Sequence, residues 1–156
     1  MTVNSTPLGG EAIQPQETGL EALGQAIKQA QYRHHRALDS VLANVGTTLA
    51  QWDALRAIDR QPGASAHDLA VITFQSDQAF GSLASRLIGQ GLIERRPGRG
   101  RRIEHHLTPT GAAMLAAGSP LTQSVLRISL ADLTALERAT LLGLLRRIIA
   151  QPLEMA

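Results

Sequence analysis

Apolar residues recur at three- and four-residue steps through the first third of the chain, which is the spacing of one face of an α-helix. This stripe follows a T-x-x-E capping box at Thr18–Glu21 and ends near Asn44 and Gly46, so it predicts one long amphipathic helix. Its residues are Leu20, Leu23, Ile27, Ala30, His34, Ala37 or Leu38, Val41 and Val45. Residues 1–17 are rich in Pro, Gly, Thr and Gln without periodicity, and they predict a flexible tail.

Three shorter helices are predicted in the middle of the chain, each opened by residues that favour helix N-termini. Their expected bounds are Thr48 to about Arg60, Ser65 to about Ile72, and Gln75–Asp77 to a cap at Gly91. The residues expected to face the core are Leu49, Trp52, Leu55 and Ile58, then Leu69 and Ile72, then Phe80, Leu83, Leu87 and Ile88. Gln61–Gly63 should break the chain after the first of these helices.

A β-hairpin is predicted directly after the fourth helix. Its first strand is expected at Leu92–Arg96, and a tight turn at Pro97–Gly100 leads into a second strand that ends at Leu107. Thr108 and Pro109 should then open another helix, with Pro at the first position, where the missing N–H costs nothing. Two short helices followed by a hairpin make a winged helix-turn-helix pattern.

The C-terminal region is predicted to be helical. Gly118–Pro120 should kink or interrupt the fifth helix before it continues to about Ile128, and the T-x-x-E box at Thr134–Glu137 should open the last helix, which ends near Ala150. The last helix has an apolar band wider than one core contact requires: Leu136, Leu141, Leu142, Leu144, Leu145, Ile148 and Ile149.

Spare apolar surface on the terminal helices favours dimerisation through both chain ends. The residues expected at the dimer interface are Leu20, Leu23, Ile27, Leu141, Leu144, Leu145 and Ile148. The alternative is that both helices pack only on their own core.

Positive charge is concentrated in one segment of the chain. From Arg86 to His106 there are six Arg against two Glu, a net charge of +4, whereas the remaining chain has nine basic and eleven acidic residues, a net charge of −2. Five of these arginines lie in the predicted hairpin: Arg95, Arg96, Arg99, Arg101 and Arg102. Guanidinium groups this close repel one another unless an anion neutralises them, so we predict that the wing binds the DNA backbone. The alternative is a solvated charge cluster that maintains solubility.

The fourth helix carries the residues expected to read base edges. Opposite its apolar face, this helix presents small and polar side chains that allow close approach to the major groove. We predict DNA contacts from Gln75, Ser76, Asp77, Gln78, Ser82, Ser85 and Arg86. Gln78 can pair with adenine, whereas Asp77 is ambiguous because a carboxylate repels phosphate. The alternative is an ordinary solvated helix face.

Composition excludes several other classes of protein. The chain of 156 residues has 44% hydrophobic residues, as expected of one globular domain, and no apolar run approaches a membrane span. It has no cysteine, which excludes disulfides and thiol-based sites. No nucleophile motif, phosphate-binding Gly loop or carboxylate pair near a His indicates an enzyme, and no cofactor is expected. The N-terminus lacks a secretory signal, so a cytoplasmic protein is expected.

The histidine pairs raise the possibility of a metal site, but their spacing is wrong for one. His34 and His35 diverge around a helix, and His105 and His106 point to opposite faces of a strand. His67 is isolated in the sequence, so we predict no metal site. His34, on the apolar stripe, is better interpreted as a hydrogen-bonded group at a dimer or pocket boundary that could seat an acidic ligand.

The order and spacing of several motifs together resemble the MarR family of bacterial transcriptional regulators. The matching residues are Leu49-Ala-Gln-Trp-Asp-Ala-Leu55, Asp68-Leu-Ala70, Leu87, Gly91-Leu-Ile-Glu-Arg95 and Leu107-Thr-Pro-Thr-Gly111, and the resemblance covers roughly residues 18–150. It implies a homodimer that straddles a pseudo-palindromic operator in double-stranded DNA, controlled by a small aromatic or phenolic effector. The family's effector cavity makes Tyr32, His34 and Trp52 a tentative ligand pocket, although Trp52 is also a core candidate.

The wing departs from the family pattern at one position. An Asp usually precedes the paired arginines and restrains them by ion pairing, whereas this chain has Gly100 before Arg101 and Arg102. The resemblance therefore implies a wing tip that is more basic and more mobile than usual. It carries over the wing contact with the minor groove in kind, without identifying the arginine that enters the groove.

These expectations combine into one fold and one function. We predict a mainly α fold with a small β-hairpin wing (α+β), a winged helix-turn-helix with N- and C-terminal dimerisation helices. The predicted regions are a tail at 1–17, a helical dimerisation region at 18–46 and 109–150, and a DNA-binding domain at 47–108. The predicted function is a homodimeric, effector-controlled, sequence-specific DNA-binding regulator, most simply a repressor. The alternative is a winged-helix module that binds protein without specific DNA binding.

Overall fold

The computed structural model describes residues 19–153, which form six α-helices and one two-stranded sheet. The helices are α1 (Leu20–Ala43), α2 (Leu49–Arg60), α3 (Ala66–Ile72), α4 (Asp77–Gly89), α5 (Pro109–Ser129) and α6 (Ala135–Ile149), and the strands are β1 (Ile93–Pro97) and β2 (Ile103–Leu107). The chain divides into two compact units, one that ends at Tyr32 and one that begins at Arg33. The predicted tail at residues 1–17 and the predicted cap at Thr18 lie outside the described residues.

Hydroxyl side chains begin five of the helices. Thr48, Ser65, Ser76, Thr108 and Thr134 each accept a hydrogen bond from the backbone N–H three residues further on. Such caps satisfy N–H groups that have no partner within the helix, and each contributes about 1 kcal/mol to stability. These bonds confirm the starts predicted for α2 to α6 and the fold class as a whole.

The core of the second unit lies between α2, α3, α4 and the hairpin. Its largest fully buried apolar side chains are Phe80, Leu42, Leu55, Ile58, Leu69, Leu87 and Ile93. A smaller cluster forms around Trp52, which packs with Leu42 and Leu49. Because α2, α4 and β1 all contribute to the main cluster, the recognition helix and the wing are fixed to one packed body.

The hairpin is antiparallel, with Ile93 opposite Leu107, Arg95 opposite His105 and Pro97 opposite Ile103. The turn at its tip includes Gly100 with φ +68°, a left-handed conformation that glycine adopts without steric cost.

The turn between α3 and α4 contains an unusual residue. Phe74 has φ +57° and is 96% exposed, and it occupies the position after the helix that usually carries glycine. The Phe74 N–H donates to Val71 O at 3.2 Å, and the Gln75 N–H donates to Ala70 O at 2.9 Å. These two bonds form a Schellman motif, which ends α3 at the cost of left-handed strain of about 1–2 kcal/mol at Phe74.

Two of the predicted buried positions differ in the structure. Ile72 is 37% exposed, and Ala70 is buried in its place, because the inward face of α3 is centred on Leu69 and Ala70. Ile88, which was also predicted to be buried, is only partly buried against the main cluster.

The predicted interruption of α5 is wrong, because this helix continues through Pro120 to Ser129. Pro120 lacks the N–H that would donate to the preceding turn. Close packing accompanies this irregularity: a Cβ on Gly118 would lie 2.3 Å from Trp52 Nε1, so a side chain there would collide with the indole ring.

α6 differs from every other described helix in the second unit, because none of its residues is buried. No helix among residues 19–153 has the length and apolar character needed to cross a membrane.

Candidate nucleic-acid interface

The fourth helix has one buried face and one exposed polar face. Phe80, Leu83, Ala84 and Leu87 are buried in the main cluster. The predicted DNA-contacting residues Ser76, Asp77, Gln78, Ser82, Ser85 and Arg86 are exposed, and Gln75 is partly buried. The apolar face therefore fixes this helix to the body, while the polar face remains accessible to a partner.

Several polar side chains of α4 are engaged within the protein. Ser76 Oγ accepts the Ala79 N–H at 3.1 Å, and Ser85 Oγ donates to Gly81 O at 3.0 Å. Gln75 Nε2 donates to Thr73 Oγ1 at 3.2 Å. These bonds hold the N-terminal end of the helix and leave the Gln75 amide oxygen outward of the turn.

The remaining polar residues of this face differ in their partners. Gln78, Ser82 and Arg86 form no side-chain hydrogen bond or ion pair with any residue that the structure describes. Asp77 lies 3.0 Å from His67 Nδ1, so His67, which looked isolated in the sequence, faces the recognition helix from α3. A protonated His67 would neutralise the Asp77 carboxylate, which otherwise repels phosphate.

The five wing arginines are all exposed, but they fall into two sets. The unpaired arginines, Arg95, Arg99 and Arg101, form no hydrogen bond or ion pair with another described residue. The paired arginines are Arg96, which binds Glu94 in the same strand, and Arg102, which binds Asp68 of α3.

Arg102 has two acceptors outside the hairpin. Its Nη2 lies 3.1 Å from Asp68 Oδ2 and 3.3 Å from the Gly63 carbonyl oxygen. The Asp68 carboxylate also accepts bonds from the Ser65 hydroxyl at 2.7 Å and the Ser65 N–H at 3.3 Å. These two Ser65 bonds are the main cause that lowers the pKa of Asp68 below its ordinary value, so the carboxylate is charged at neutral pH.

Backbone bonds join the base of the wing to the segment that precedes α3. The Gly63 N–H donates to His105 O at 3.0 Å, and the His105 N–H donates to Ala64 O at 3.2 Å. His105 Nδ1 also donates to Ala64 O at 3.1 Å. The wing therefore leaves the body from a hydrogen-bonded base, and a mobile segment is confined to its tip.

His105 is a structural residue that the sequence interpretation missed. It is 1% exposed, and its ring meets the Phe80 ring edge-on with centroids 6.3 Å apart. Burial is the main cause that lowers the pKa of His105 below its ordinary value, and Arg95 lowers it further. The available signal was strand alternation, which places His105 on the same face of β2 as Leu107.

A basic hollow of about 770 Å³ lies between α3 and the wing. It is lined by Ser65, Ala66, His67, Arg95, Arg96, Pro97, Arg101, Arg102, Ile103 and His105. Only cationic and neutral side chains line this hollow, so its surface favours an anionic partner.

The other predicted sites are placed as follows. Among the described residues, no group of three His, Asp or Glu is arranged to hold a metal ion. His106 instead lies 3.0 Å from Glu104, and His34 Nε2 lies 2.5 Å from Ser129 Oγ.

The three residues of the tentative ligand pocket have different environments. Tyr32 is 57% exposed and His34 is partly buried. Trp52 is a core residue whose Nε1 donates to Leu115 O at 3.2 Å. A second hollow of about 360 Å³ is lined by other residues: Asp53, Arg56, Ala57, Arg60, Gln61, Ile72, Thr73 and Phe74.

The predicted dimer residues are solvent-accessible in the single chain. Leu20, Leu23 and Ile27 are exposed in the first unit, Leu141, Leu144 and Ile148 are exposed in the second, and Leu145 is partly buried.

Comparison with known proteins gives consistent results. Residues 45–103 match the model of the MarR family. The transcriptional repressor NicR of Pseudomonas putida is 28% identical over 131 residues, which are 83% of this chain and 83% of NicR. A probable transcriptional regulator from Pseudomonas aeruginosa superposes with a TM-score of 0.73 and 31% identity, covering 81% of this chain and 96% of its own.

A MarR mutant from E. coli complexed with operator DNA superposes with a TM-score of 0.77 and 25% identity, covering 86% of this chain and 99% of its own. The matched family segment spans α2 to the start of β2, which is the part of the chain that carries the polar face of α4 and most of the basic wing.

Proposed function

The chain belongs to the MarR family of transcriptional regulators, and we propose that it acts as a homodimeric repressor whose binding to a pseudo-palindromic operator is controlled by a small-molecule effector. The observation that carries this proposal is the juxtaposition of an exposed polar recognition helix with a basic wing on one packed body. The likeness to a MarR mutant complexed with operator DNA supports it.

In this proposal α4 reads the bases of the major groove. Gln78, Ser82 and Arg86 are the strongest candidates for base or phosphate contacts because they have no partner among the described residues. Ser76 and Ser85 combine a helix-stabilising bond with an exposed position. Gln75 and Asp77 flank the N-terminus of α4, the end of a recognition helix that contacts base edges.

The wing supplies sequence-independent affinity. Arg95, Arg99 and Arg101 carry unneutralised charge on a hairpin that is held at its base, so they suit contacts with phosphates and the minor groove. Each phosphate that they neutralise should make binding more sensitive to salt.

Dimerisation would cover the apolar surface that one chain leaves exposed. Leu141, Leu144 and Ile148 are 40–49% exposed on α6, and each large apolar side chain that becomes fully buried contributes about 1.5–3 kcal/mol. Leu20, Leu23 and Ile27 offer similar surface on the first unit. A two-fold dimer presents two reading helices, which matches a palindromic site.

The effector is proposed to bind near Tyr32, His34 or Trp52. The described aromatic side chains there are few and Trp52 is held in the core, so the ligand would contact mainly aliphatic residues. No catalytic role is proposed, and the protein would act where the DNA is, in the bacterial cytoplasm.

A salt-titrated electrophoretic shift on the DNA upstream of the chain's own gene tests the proposal. We expect specific binding that unlabelled operator abolishes and an equal mass of bulk DNA does not. The triple variant Arg95→Ala, Arg99→Ala and Arg101→Ala should reduce the slope of log affinity against log salt by about three. Arg60→Ala on α2 is the matched control and should leave the slope unchanged.

Binding to bulk DNA as tight as binding to the upstream DNA would contradict a sequence-specific regulator. Failure to bind either DNA would favour a winged-helix module that binds protein.

A further inference from the structure

We propose that Asp68 is a positioning residue for DNA binding, because it holds the wing in place through Arg102 and withdraws this arginine from contact with phosphate. The proposal rests on the DNA-binding function above and divides the labour among the wing arginines. Arg102 fixes the orientation of the wing, and the unpaired arginines at positions 95, 99 and 101 meet the DNA.

The first argument is the placement of the two acceptors. Arg102 Nη2 is within hydrogen-bonding distance of both Asp68 Oδ2 and the Gly63 carbonyl oxygen, at 3.1 and 3.3 Å. Both acceptors belong to the segment that leads into α3 or to α3 itself, 34 and 39 positions before Arg102. One guanidinium group therefore bridges the helix-turn-helix and the tip of the hairpin.

The second argument is that the carboxylate itself is held in place. Asp68 accepts two bonds from Ser65 in the capping box that begins α3. Its position is thus set by the helix and not by the wing. A fixed carboxylate defines where Arg102 must lie, whereas two mobile side chains would lose this information to rotamer entropy.

The third argument is the position of Arg102 in the hairpin. Its carbonyl oxygen accepts the Gly98 N–H at 2.8 Å, which closes the tip, and β2 begins at the next residue, Ile103. A pull on Arg102 therefore acts on the whole turn. The position before Arg101, where relatives were expected to carry a restraining Asp, is Gly100 here, and Asp68 supplies an acidic restraint from another element.

The fourth argument is electrostatic. The Asp68 carboxylate lies beside the proposed DNA surface, where an unpaired negative charge would repel phosphate. Pairing with Arg102 cancels this charge. If the pair separates, Arg102 becomes available to phosphate, and the wing gains non-specific affinity while it loses its fixed orientation.

The experiment is a salt titration of affinity for operator DNA and for scrambled DNA with single and double variants. Asp68→Asn keeps a side-chain oxygen for the Ser65 cap and removes the charge that holds Arg102. We expect its salt slope to become steeper by about one, because Arg102 now neutralises a phosphate, and its discrimination between operator and scrambled DNA to fall about tenfold. The double variant Asp68→Asn with Arg102→Ala should return to the wild-type slope.

Two single arginine variants complete the comparison. Arg101→Ala should flatten the slope by about one, as expected for a lost phosphate contact, whereas Arg102→Ala should leave the slope unchanged and lower discrimination. Glu137→Gln is the matched control: Glu137 forms the same capping box with Thr134 on α6 and has no bond to the wing. It should change neither slope nor discrimination.

A slope that flattens by one in Arg102→Ala, or that stays at the wild-type value in Asp68→Asn, overturns the proposal. Amide hydrogen exchange without DNA separates this proposal from the DNA-binding function. Asp68→Asn should speed exchange at Gly98 and Arg102 while Glu137→Gln does not, and equal exchange in both variants would overturn the positioning role. Absence of wild-type binding to either DNA would overturn the DNA-binding function instead.

Discussion

The winged helix and α6 obtain their stability in different ways, although both belong to the second unit of the chain. The winged helix has a continuous buried cluster that includes Phe80 and Leu87 at 0% exposure. α6 has a complete capping box and no buried residue, and its apolar side chains remain 40–79% exposed, apart from Leu145. The local signals that begin a helix are thus equally good in both regions, and only the first region has its own packing partner.

This difference separates two kinds of substitution. A change in the winged helix should act on the folding of a single chain, whereas a change on the apolar face of α6 should act on association. The dependence of each effect on protein concentration distinguishes them, because association follows mass action and folding of a monomer does not.

The largest effect is expected at Phe80, which lies at the centre of the winged-helix core and meets the His105 ring. Phe80→Ala should lower the free energy of unfolding by about 3–5 kcal/mol because it leaves a cavity under the recognition helix. Chemical denaturation at two protein concentrations measures this. A loss below about 1 kcal/mol would contradict a packed core at this position.

The next effect is expected at the dimer interface proposed on α6. Leu144→Glu should weaken the dimer by about 2 kcal/mol, a roughly 30-fold increase in its dissociation constant, because a carboxylate would be buried without a partner. Sedimentation equilibrium measures the constant. Leu136→Glu, at a more exposed position outside the proposed interface, is the control. Equal dimerisation of wild type and Leu144→Glu would exclude this face of α6.

A pair of helix glycines sharpens the comparison. A Cβ on Gly111 in α5 would lie 1.9 Å from the Leu92 carbonyl oxygen, so Gly111→Ala should destabilise the fold by about 1–3 kcal/mol or more. A Cβ on Gly143 in α6 would meet nothing within 4 Å, so Gly143→Ala should stabilise it by up to about 1 kcal/mol. Thermal unfolding of both variants checks the opposite signs, and the same sign in both would contradict the account.

The smallest effect is a pH dependence that arises at the base of the wing. Burial lowers the pKa of His105 below its ordinary value of 6.5, so the unfolded chain binds more protons than the folded chain at slightly acidic pH. The contribution of His105 to stability is therefore complete above pH 6.5 and decreases as the pH falls towards the folded pKa.

The variant His105→Leu should flatten the stability profile between about pH 7 and 5.5. The backbone N–H at position 105 still donates to Ala64 O in this variant, so the carbonyl keeps a donor. Denaturation curves across this range measure the slope. An unchanged slope in the variant would show that His105 is not the group responsible.

The sequence was sufficient to predict the elements, because their signals are local. Thr48, Ser65, Thr108 and Thr134 cap the helices where the sequence placed the caps, and Gly91 ends α4 with φ +70°. Apolar spacing predicted most buried positions of α2 and α4. It was wrong for Ile72, because a helix of seven residues is too short for its spacing to define the inward face.

The division of the wing arginines could not be predicted from the sequence. The Arg102–Asp68 pair joins residues that are 34 positions apart, and its geometry depends on how the hairpin packs against α3. The spacing of five arginines in eight residues indicates an anion site but does not reveal which charges are already neutralised within the protein. The left-handed conformation of Phe74 was equally hidden, since the sequence offers no glycine there.

A footprint of the wild-type protein on the DNA upstream of its own gene tests the central claim most directly, because the claim is that a dimer presents two copies of α4 and its wing to one operator. The account predicts two protected half-sites related by a pseudo-palindrome, with centres one helical turn, about 10 base pairs, or a multiple of it apart. Leu144→Glu should lose this protection at protein concentrations where the wild type retains it. A single protected half-site, or protection that does not depend on DNA sequence, would contradict the account.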